Sequence, residues 1–426
     1  MSMNGRGARW WRGGTAVLVV WLAGCGESVE HLPSGVGPAG TPGTPPTDHT
    51  GQLLLLDQYK LPYANMPVLV DDTLVTTDAD GYATMPAVGD QYDVSVVAGD
   101  LAYVFHGLST RSPVVRLVVS GTGAGVSSMS LAMASPPLRD DQTLVYSAGF
   151  ANIAEDQQFF GTSIDAEGLS LEGHWAGSSP VTFSAEAFVV DVDPSTGGPL
   201  AFTGYASRSW KVTPGAELSW TPSPTAPPFA TAAIQVSVSL PAGAQVTSYD
   251  VWAREASGRQ SHLGPIVSFA YTDEKVLVPD LPGAVFDVIA GTGDGTSVFE
   301  AEADGLHAGD QVTLEAHSGP VPLSPEDGAD VSLDTDFTWT EDEGAVYRLF
   351  LTAHDGDKTR TYVIVTTEPT TRLPDLTALG APFPSGQELS WQIFSLPGVA
   401  PLDHFAADGH YGSTGYSMPR TATATP

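Results

Sequence analysis

Apolar and polar residues alternate with period two along much of this chain. Ala233-Ile-Gln-Val-Ser-Val-Ser-Leu240 puts Ile234, Val236, Val238 and Leu240 on one face and Gln235, Ser237 and Ser239 on the other. Val181–Ala187 and Asp336–Thr340 alternate likewise. Successive side chains of a strand point to opposite faces, so this spacing predicts half-buried β-strands. Asp80-Gly81, Asp294-Gly295 and Asp355-Gly356 punctuate them, and glycine in such a dipeptide accepts the positive φ of a tight hairpin. Asn152–Phe160 alone reads as mildly helical. Many short strands with regular turns predict an all-β chain of tandem β-sandwiches.

Composition sharpens this picture. Glycine (46) and proline (34) make up about 19% of the 426 residues, against an average near 12%. Inside helices these residues cost roughly 1 and 3 kcal/mol each, which excludes a helix bundle or coiled coil. The apolar fraction of 42% is too high for general disorder. With 17 basic and 49 acidic residues the net charge is −32, which repels phosphate and argues against a nucleic-acid partner.

The first residues depart from the strand pattern. Arg6, Arg9 and Arg12 stand in a head without acids, Thr15–Ala23 is a short apolar run, and Leu22-Ala23-Gly24-Cys25 closes it. A basic head, a short apolar core and small residues before a cut describe an export signal, too short to span a bilayer stably. The closing tetrapeptide resembles the lipobox of bacterial lipoproteins, with Cys25 at the lipidated position. The resemblance implies cleavage before Cys25 and acylation of its thiol and new amine; two or more acyl chains hold a protein at a membrane where one does so marginally. Cys25 is the only cysteine, so it has no disulfide to serve. The mature chain then carries net −35, charge that keeps its domains off anionic lipid and leaves membrane contact to the acyl chains. Gly26–Thr50 holds five glycines and five prolines and is expected as a disordered tether, its ends roughly 25–30 Å apart. The expected location is the bacterial cell envelope, lipid-anchored at the outer membrane.

Further along, Gly51–Val70, Thr77–Pro86 and Tyr92–Val96 resemble a carboxypeptidase regulatory-like (transthyretin-like) domain. Pro62, Thr77, Asp78, Gly81, Tyr92, Val94 and Val96 match its motif, and the resemblance implies a seven-strand sandwich without a catalytic site. Two later stretches repeat one another. Glu217–Thr221, Ile234–Leu240, Tyr249–Glu255, Val278–Leu281 and Val285–Ile289 run in the same order as Asp336–Thr340, Tyr347–Leu351, Tyr362–Glu368, Leu373–Leu376 and Leu389–Ile393. An early strand with one tryptophan and a late Leu-Pro-Asp-Leu resembles a fibronectin type III sandwich, with Trp220 and Trp339 as its core tryptophans. The expected layout is a signal peptide at 1–24, a tether at 25–50, a regulatory-like sandwich at 51–119, an unassigned β-domain at 120–213, fibronectin-like sandwiches at 214–318 and 319–417, and a frayed tail at 418–426.

Candidate chemistry is sparse. Gly291–Ser297 is glycine-rich, but no lysine follows it and the next residues read as a strand, so it is expected as a hairpin turn and not a phosphate loop. No Gly-x-Ser-x-Gly elbow or His-Glu-x-x-His helix is present. Eight acids crowd into Glu326–Glu343. Calcium takes six to eight oxygens from flexible loops, so Asp334 and Asp336 are candidate ligands for loosely held Ca²⁺, although no EF-hand spacing exists. Asp403, His404, Asp408 and His410 offer a transition-metal ligand mix, set against a plain hairpin at Asp408-Gly409. Trp210 and Trp252 are candidates for stacking on sugar rings, set against core positions. No catalytic residue and no firm cofactor is expected. The favoured reading is a non-catalytic surface lipoprotein with a structural, adhesive or protein-binding role; the alternatives are a glycan- or polymer-binding accessory lipoprotein and an extracytoplasmic hydrolase working through paired carboxylates.

Overall fold

The computed structural model describes residues 51–117, 125–151, 169–193, 199–254, 260–266, 272–294, 297–342, 345–355, 358–396, 401–408, 415–417 and 419–425. These residues are almost wholly β, as the alternation predicts. The residues expected as a signal peptide and a tether, and the expected helix Asn152–Phe160, lie outside them.

The first sandwich comprises β1 (Gln52–Leu56), β2 (Pro67–Val70), β3 (Thr73–Thr76), β4 (Tyr82–Thr84), β5 (Tyr92–Ala98), β6 (Leu101–Leu108) and β7 (Val114–Arg116). The order β4-β1-β7 forms one sheet and β3-β2-β5-β6 the other. Between β3 and β4, Gly81 has φ +81°, and a Cβ there would meet the Leu55 carbonyl oxygen at 2.7 Å, so only glycine fits. The second sandwich has β8 (Val126–Met133), β9 (Gln142–Ala151), β10 (Leu169–Ala176), β11 (Val181–Val192), β12 (Pro199–Val212) and β13 (Ala216–Trp220), in sheets β10-β8-β13 and β12-β11-β9. The third has β14 (Thr231–Ser239), β15 (Gln245–Arg254), β16 (Gln260–Ile266), β17 (Asp273–Pro279), β18 (Val285–Gly293), β19 (Ser297–Leu306) and β20 (Gln311–Glu315). The fourth has β21 (Pro322–Ser324), β22 (Ala329–Val331), β23 (Phe337–Trp339), β24 (Val346–Asp355), β25 (Lys358–Thr366), β26 (Thr370–Thr371), β27 (Glu388–Leu396), α1 (Leu402–Asp408), β28 (Gly415–Ser417) and β29 (Arg420–Ala424).

The sandwiches are not separate beads. One 14-stranded sheet runs β16-β15-β18-β19-β28-β27-β24-β25-β6-β5-β2-β3, with β29 and β22 on a branch from β27, and so joins the third, fourth and first sandwiches. The cores are shared as well. Ala102 and Val104 of β6 lie in the fourth sandwich's core with Trp339, Tyr347 and Ile364, while Val363, Val365 and Leu396 of the fourth lie in the first's core with Tyr103 and Phe105. Strand β11 is buried on both faces, Phe183 and Ala185 inside the second core and Phe188 and Val190 against the third. Its sequence shows why: the alternation of Val181–Ala187 gives way to the continuous apolar run Ala187-Phe-Val-Val190, the pattern of a strand covered on both sides.

Three expectations are corrected. The presumed tail 418–426 holds β29, whose Ala422 and Ala424 are buried, because small residues at alternate positions fit beside β27 and β22. Residues 403–408, expected on a strand leading into a hairpin, belong to helix α1; Leu402, Phe405 and Ala406 stand at i, i+3 and i+4 and are buried together. Trp220 packs with Met133 and Trp175 in the second core, so β13 completes the second sandwich and the boundary expected at 213/214 falls after it. Trp339 does occupy the fourth core. The expected tandem β-sandwiches are present, and they also share sheets and cores, because β6 and β25 are covered by apolar side chains on both faces.

Candidate functional site

The most elaborated region is the junction of the first and last sandwiches. Here β6 pairs parallel with β25, Tyr103 opposite Val363 and Phe105 opposite Val365. Helix α1 lies over the same core through Leu402, Phe405 and Ala406; burying a Leu or Phe contributes about 1.5–3 kcal/mol. In the first turn of α1, Asp403 accepts hydrogen bonds from the Ser109 N–H (3.1 Å), the Ser109 hydroxyl (2.6 Å) and the Thr110 N–H (3.0 Å). The Tyr92 hydroxyl donates to the Thr110 carbonyl at 2.5 Å, and burial, then the charges of Asp403 and Asp71, raise its pKa. A buried cation adjoins this junction. The Arg348 guanidinium carbon stands 5.5 Å from the Phe350 ring centre and 5.7 Å from that of Phe394, a cation–π arrangement worth about 2 kcal/mol where water is excluded.

A second region is acidic. Ala301 and Ala303 of β19 face the third core, so Glu300, Glu302 and Asp304 alternate onto the opposite face. Glu302 stands opposite Ile289, and Ile289 opposite Asp250. Asp287 is buried and pairs with Arg254 at 2.9 Å. Desolvation, then the charge of Asp250, pushes Glu300 up to about 7. Loss of solvation among the crowding strands, then the Asp304 hydrogen bond and the charges of Asp304, Asp287 and Glu300, raise Glu302 well above the ordinary carboxylate range.

The structure disperses the residues expected to bind metal. Asp403 is the staple just described. His404 is exposed, Asp408 closes α1, and His410 lies outside the described residues, as do Cys25 and Glu343. Asp336 takes a bidentate grip from Arg372 (Nε–Oδ1 2.5 Å, Nη2–Oδ2 3.2 Å), which lowers its pKa. Asp334 is engaged through its N–H, 3.3 Å from the Ser332 hydroxyl. Asp327 accepts from the N–H and hydroxyl of Thr421 and so pins β29. Among the described residues, no three His, Cys, Asp or Glu side chains converge as metal ligands. Asp78 accepts the N–H groups of Asp80 and Tyr82 at 2.9 Å, the work of a turn residue. The β18–β19 hairpin spans the glycine-rich Gly291–Ser297 stretch. Trp210 packs against Phe183 and Trp220, and Trp252 is half-buried on β15.

Sequence reasoning missed Arg348 and the acidic face. The alternation of Glu300, Glu302 and Asp304 is legible along β19, but Asp250 and Asp287 reach them only through strand register. Among the described residues no helix is long and apolar enough to cross a membrane.

No protein-family model matches the chain, and no curated protein does. Among solved structures, the chain is similar to the Bacillus anthracis TIE protein at 8% identity and a TM-score of 0.17, over 62% of this chain and 49% of that one, so it spans about half that protein's length. It is similar to the shaft pilin SpaA from Lactobacillus rhamnosus GG at 9% identity and a TM-score of 0.15, over 47% of this chain and 100% of the pilin. The FN1–FN3 domains of chicken CNTN1 align at 11% identity and a TM-score of 0.16, over 79% and 94% of the two chains. At such scores the function has to be argued from the residues.

Proposed function

We propose that this chain is a non-catalytic lipoprotein of the bacterial cell envelope, anchored at the outer membrane through Cys25, with a structural or adhesive role. The observation that carries the reading is the sharing of cores: side chains of the first and last sandwiches fill one another's interiors on both faces of one sheet. Such an arrangement gives a body of fixed shape, which suits a spacer or a presenting surface. The charged groups at its junctions serve the same end, with Asp403 and Asp327 holding strands and helix together. The transthyretin-like assignment of 51–119 is supported by seven described strands in sheets of three and four.

The test is made on intact cells. Wild-type protein should incorporate labelled fatty acid, fractionate with membranes and retain cells on an immobilised surface protein or polysaccharide. Cys25→Ser should lose all three. Retention that persists without the anchor, or hydrolysis of a polymer by the purified body, would overturn the reading.

A further inference from the structure

Among the described strands, parallel pairing occurs five times: β1 with β7, β8 with β13, β14 with β20, β22 with β29, and β6 with β25. The first three belong to sheets of one design, β4-β1-β7, β10-β8-β13 and β17-β14-β20. In each, the strand by which the chain enters the sandwich lies in the centre. The strand by which it leaves lies parallel on one side, and an antiparallel strand lies on the other. The fourth sandwich differs: its entry strand β21 pairs antiparallel with β23, and the last strand, β29, lies parallel to the second strand, β22.

The mechanical consequence follows from strand direction. In a parallel pair, the start of one strand and the end of the other lie at opposite ends of the ladder. A pull along the chain therefore slides entry strand against exit strand and loads every rung at once. In an antiparallel pair joined by a turn, a pull on the two free ends opens one rung at a time. The rungs flanking the third pair are Gln235 N–H to Asp310 O at 2.8 Å and Ala316 N–H to Ser239 O at 3.0 Å. Those flanking the first are Leu54 N–H to Pro113 O and Leu117 N–H to Leu56 O, both 2.9 Å. In the fourth, Gly328 N–H to Thr421 O at 2.8 Å and Thr425 N–H to Val331 O at 2.7 Å bracket the ladder. Apolar side chains reinforce the sliding plane, with Leu55, Val115, Val236, Val238 and Leu314 all buried.

We propose that the chain is a tension-resisting link, in which each of the first three sandwiches is closed by a parallel clamp between its entry and exit strands, and the fourth by one between its second and last strands, so that they hold under a pull directed along the chain. The proposal deepens the structural reading above and rests on it for the direction of the load, from the anchored end outward.

The test compares two pulling directions on one sandwich of the full chain. In a Cys25→Ser background, Ala230→Cys with Ser318→Cys places handles at the start of β14 and beyond the end of β20, loading that pair in shear. Ala230→Cys with Asp280→Cys places them at the same end of the antiparallel β14–β17 pair, where the Asp280 N–H bonds the Ala230 carbonyl at 2.8 Å, and peels it open. All three positions are exposed, and thermal melts confirm that both variants are folded. Forced rupture reports the barrier to unfolding, not equilibrium stability, so the shear geometry should need at least about twice the force at equal loading rate. Equal forces in the two directions would overturn the proposal. Neither chain is lipidated, so failure of the anchoring reading and failure of this one are separate results.

Discussion

Asp403 shows how one side chain can look like a metal ligand in sequence and act as a staple in the fold. Beside His404 and near Asp408 it offers a ligand mix, but its carboxylate is fully engaged by Ser109 and Thr110. Asp403→Ala should destabilise the chain by about 1–2 kcal/mol, since charged hydrogen bonds at partly exposed sites contribute in that range. Ser109→Ala should cost less, and an unchanged unfolding midpoint in Asp403→Ala would refute the role. Glu300 yields a prediction about pH. Its folded pKa, raised to about 7 from 4.5, means that the folded state binds the proton more tightly than the unfolded state between those values. Stability therefore declines as pH rises through that window. The melting temperature should fall between pH 5 and pH 8, and Glu300→Gln should flatten the fall by about 2–4 °C. An identical pH profile in wild type and Glu300→Gln would count against the assignment.

At the scale of elements, the strands were legible where one face is dry and the other wet, as in Ile234–Leu240 of β14. Helix α1 was not, because seven residues span barely two turns and Asp-Gly after it mimics a hairpin. The internal repeat was legible but displaced by one strand. Trp339 lies on β23, the centre of the sheet β21-β23-β26, and its counterpart in the third sandwich is β14, the centre of β17-β14-β20. Trp220, matched to it in sequence, belongs to β13 of the second sandwich. Alternation tells which residues face a core but not which core, and a strand near a boundary satisfies the pattern in either. The strand β29 shows the same limit: Arg420-Thr-Ala-Thr-Ala424 has no large apolar residue, yet it pairs with both β22 and β27. Deleting residues 419–426 should expose the edge of β27 as well as the core around Trp391. A bare edge invites pairing with another chain. The truncated protein should melt several degrees lower and associate in a concentration-dependent way, visible by light scattering; a monomer of native stability would show that β29 is dispensable.

At the scale of the whole molecule, the decisive contacts join residues about 260 positions apart, with Leu101–Phe105 of β6 against Thr361–Val365 of β25. Nothing local encodes that pairing. What the sequence does carry is its precondition, since Ala102-Tyr-Val-Phe105 and Tyr362-Val-Ile-Val365 are continuous apolar runs in chains otherwise patterned for one wet face. Each run needs cover on both sides, and each supplies it to the other. If the first and last sandwiches thus form one cooperative unit, damage to either should be felt in both. Val365 is fully buried opposite Phe105. Replacing it with aspartate places an unpaired charge among apolar side chains, which costs several kcal/mol. Hydrogen exchange of Val365→Asp should therefore show lost protection in β6 together with β25, although the substitution lies in β25 alone. Strands β8 and β13 of the second sandwich, whose core contains no residue of either partner, should keep their protection. Loss confined to β25, with β6 exchanging as in the wild type, would mean that the sandwiches fold independently and only touch.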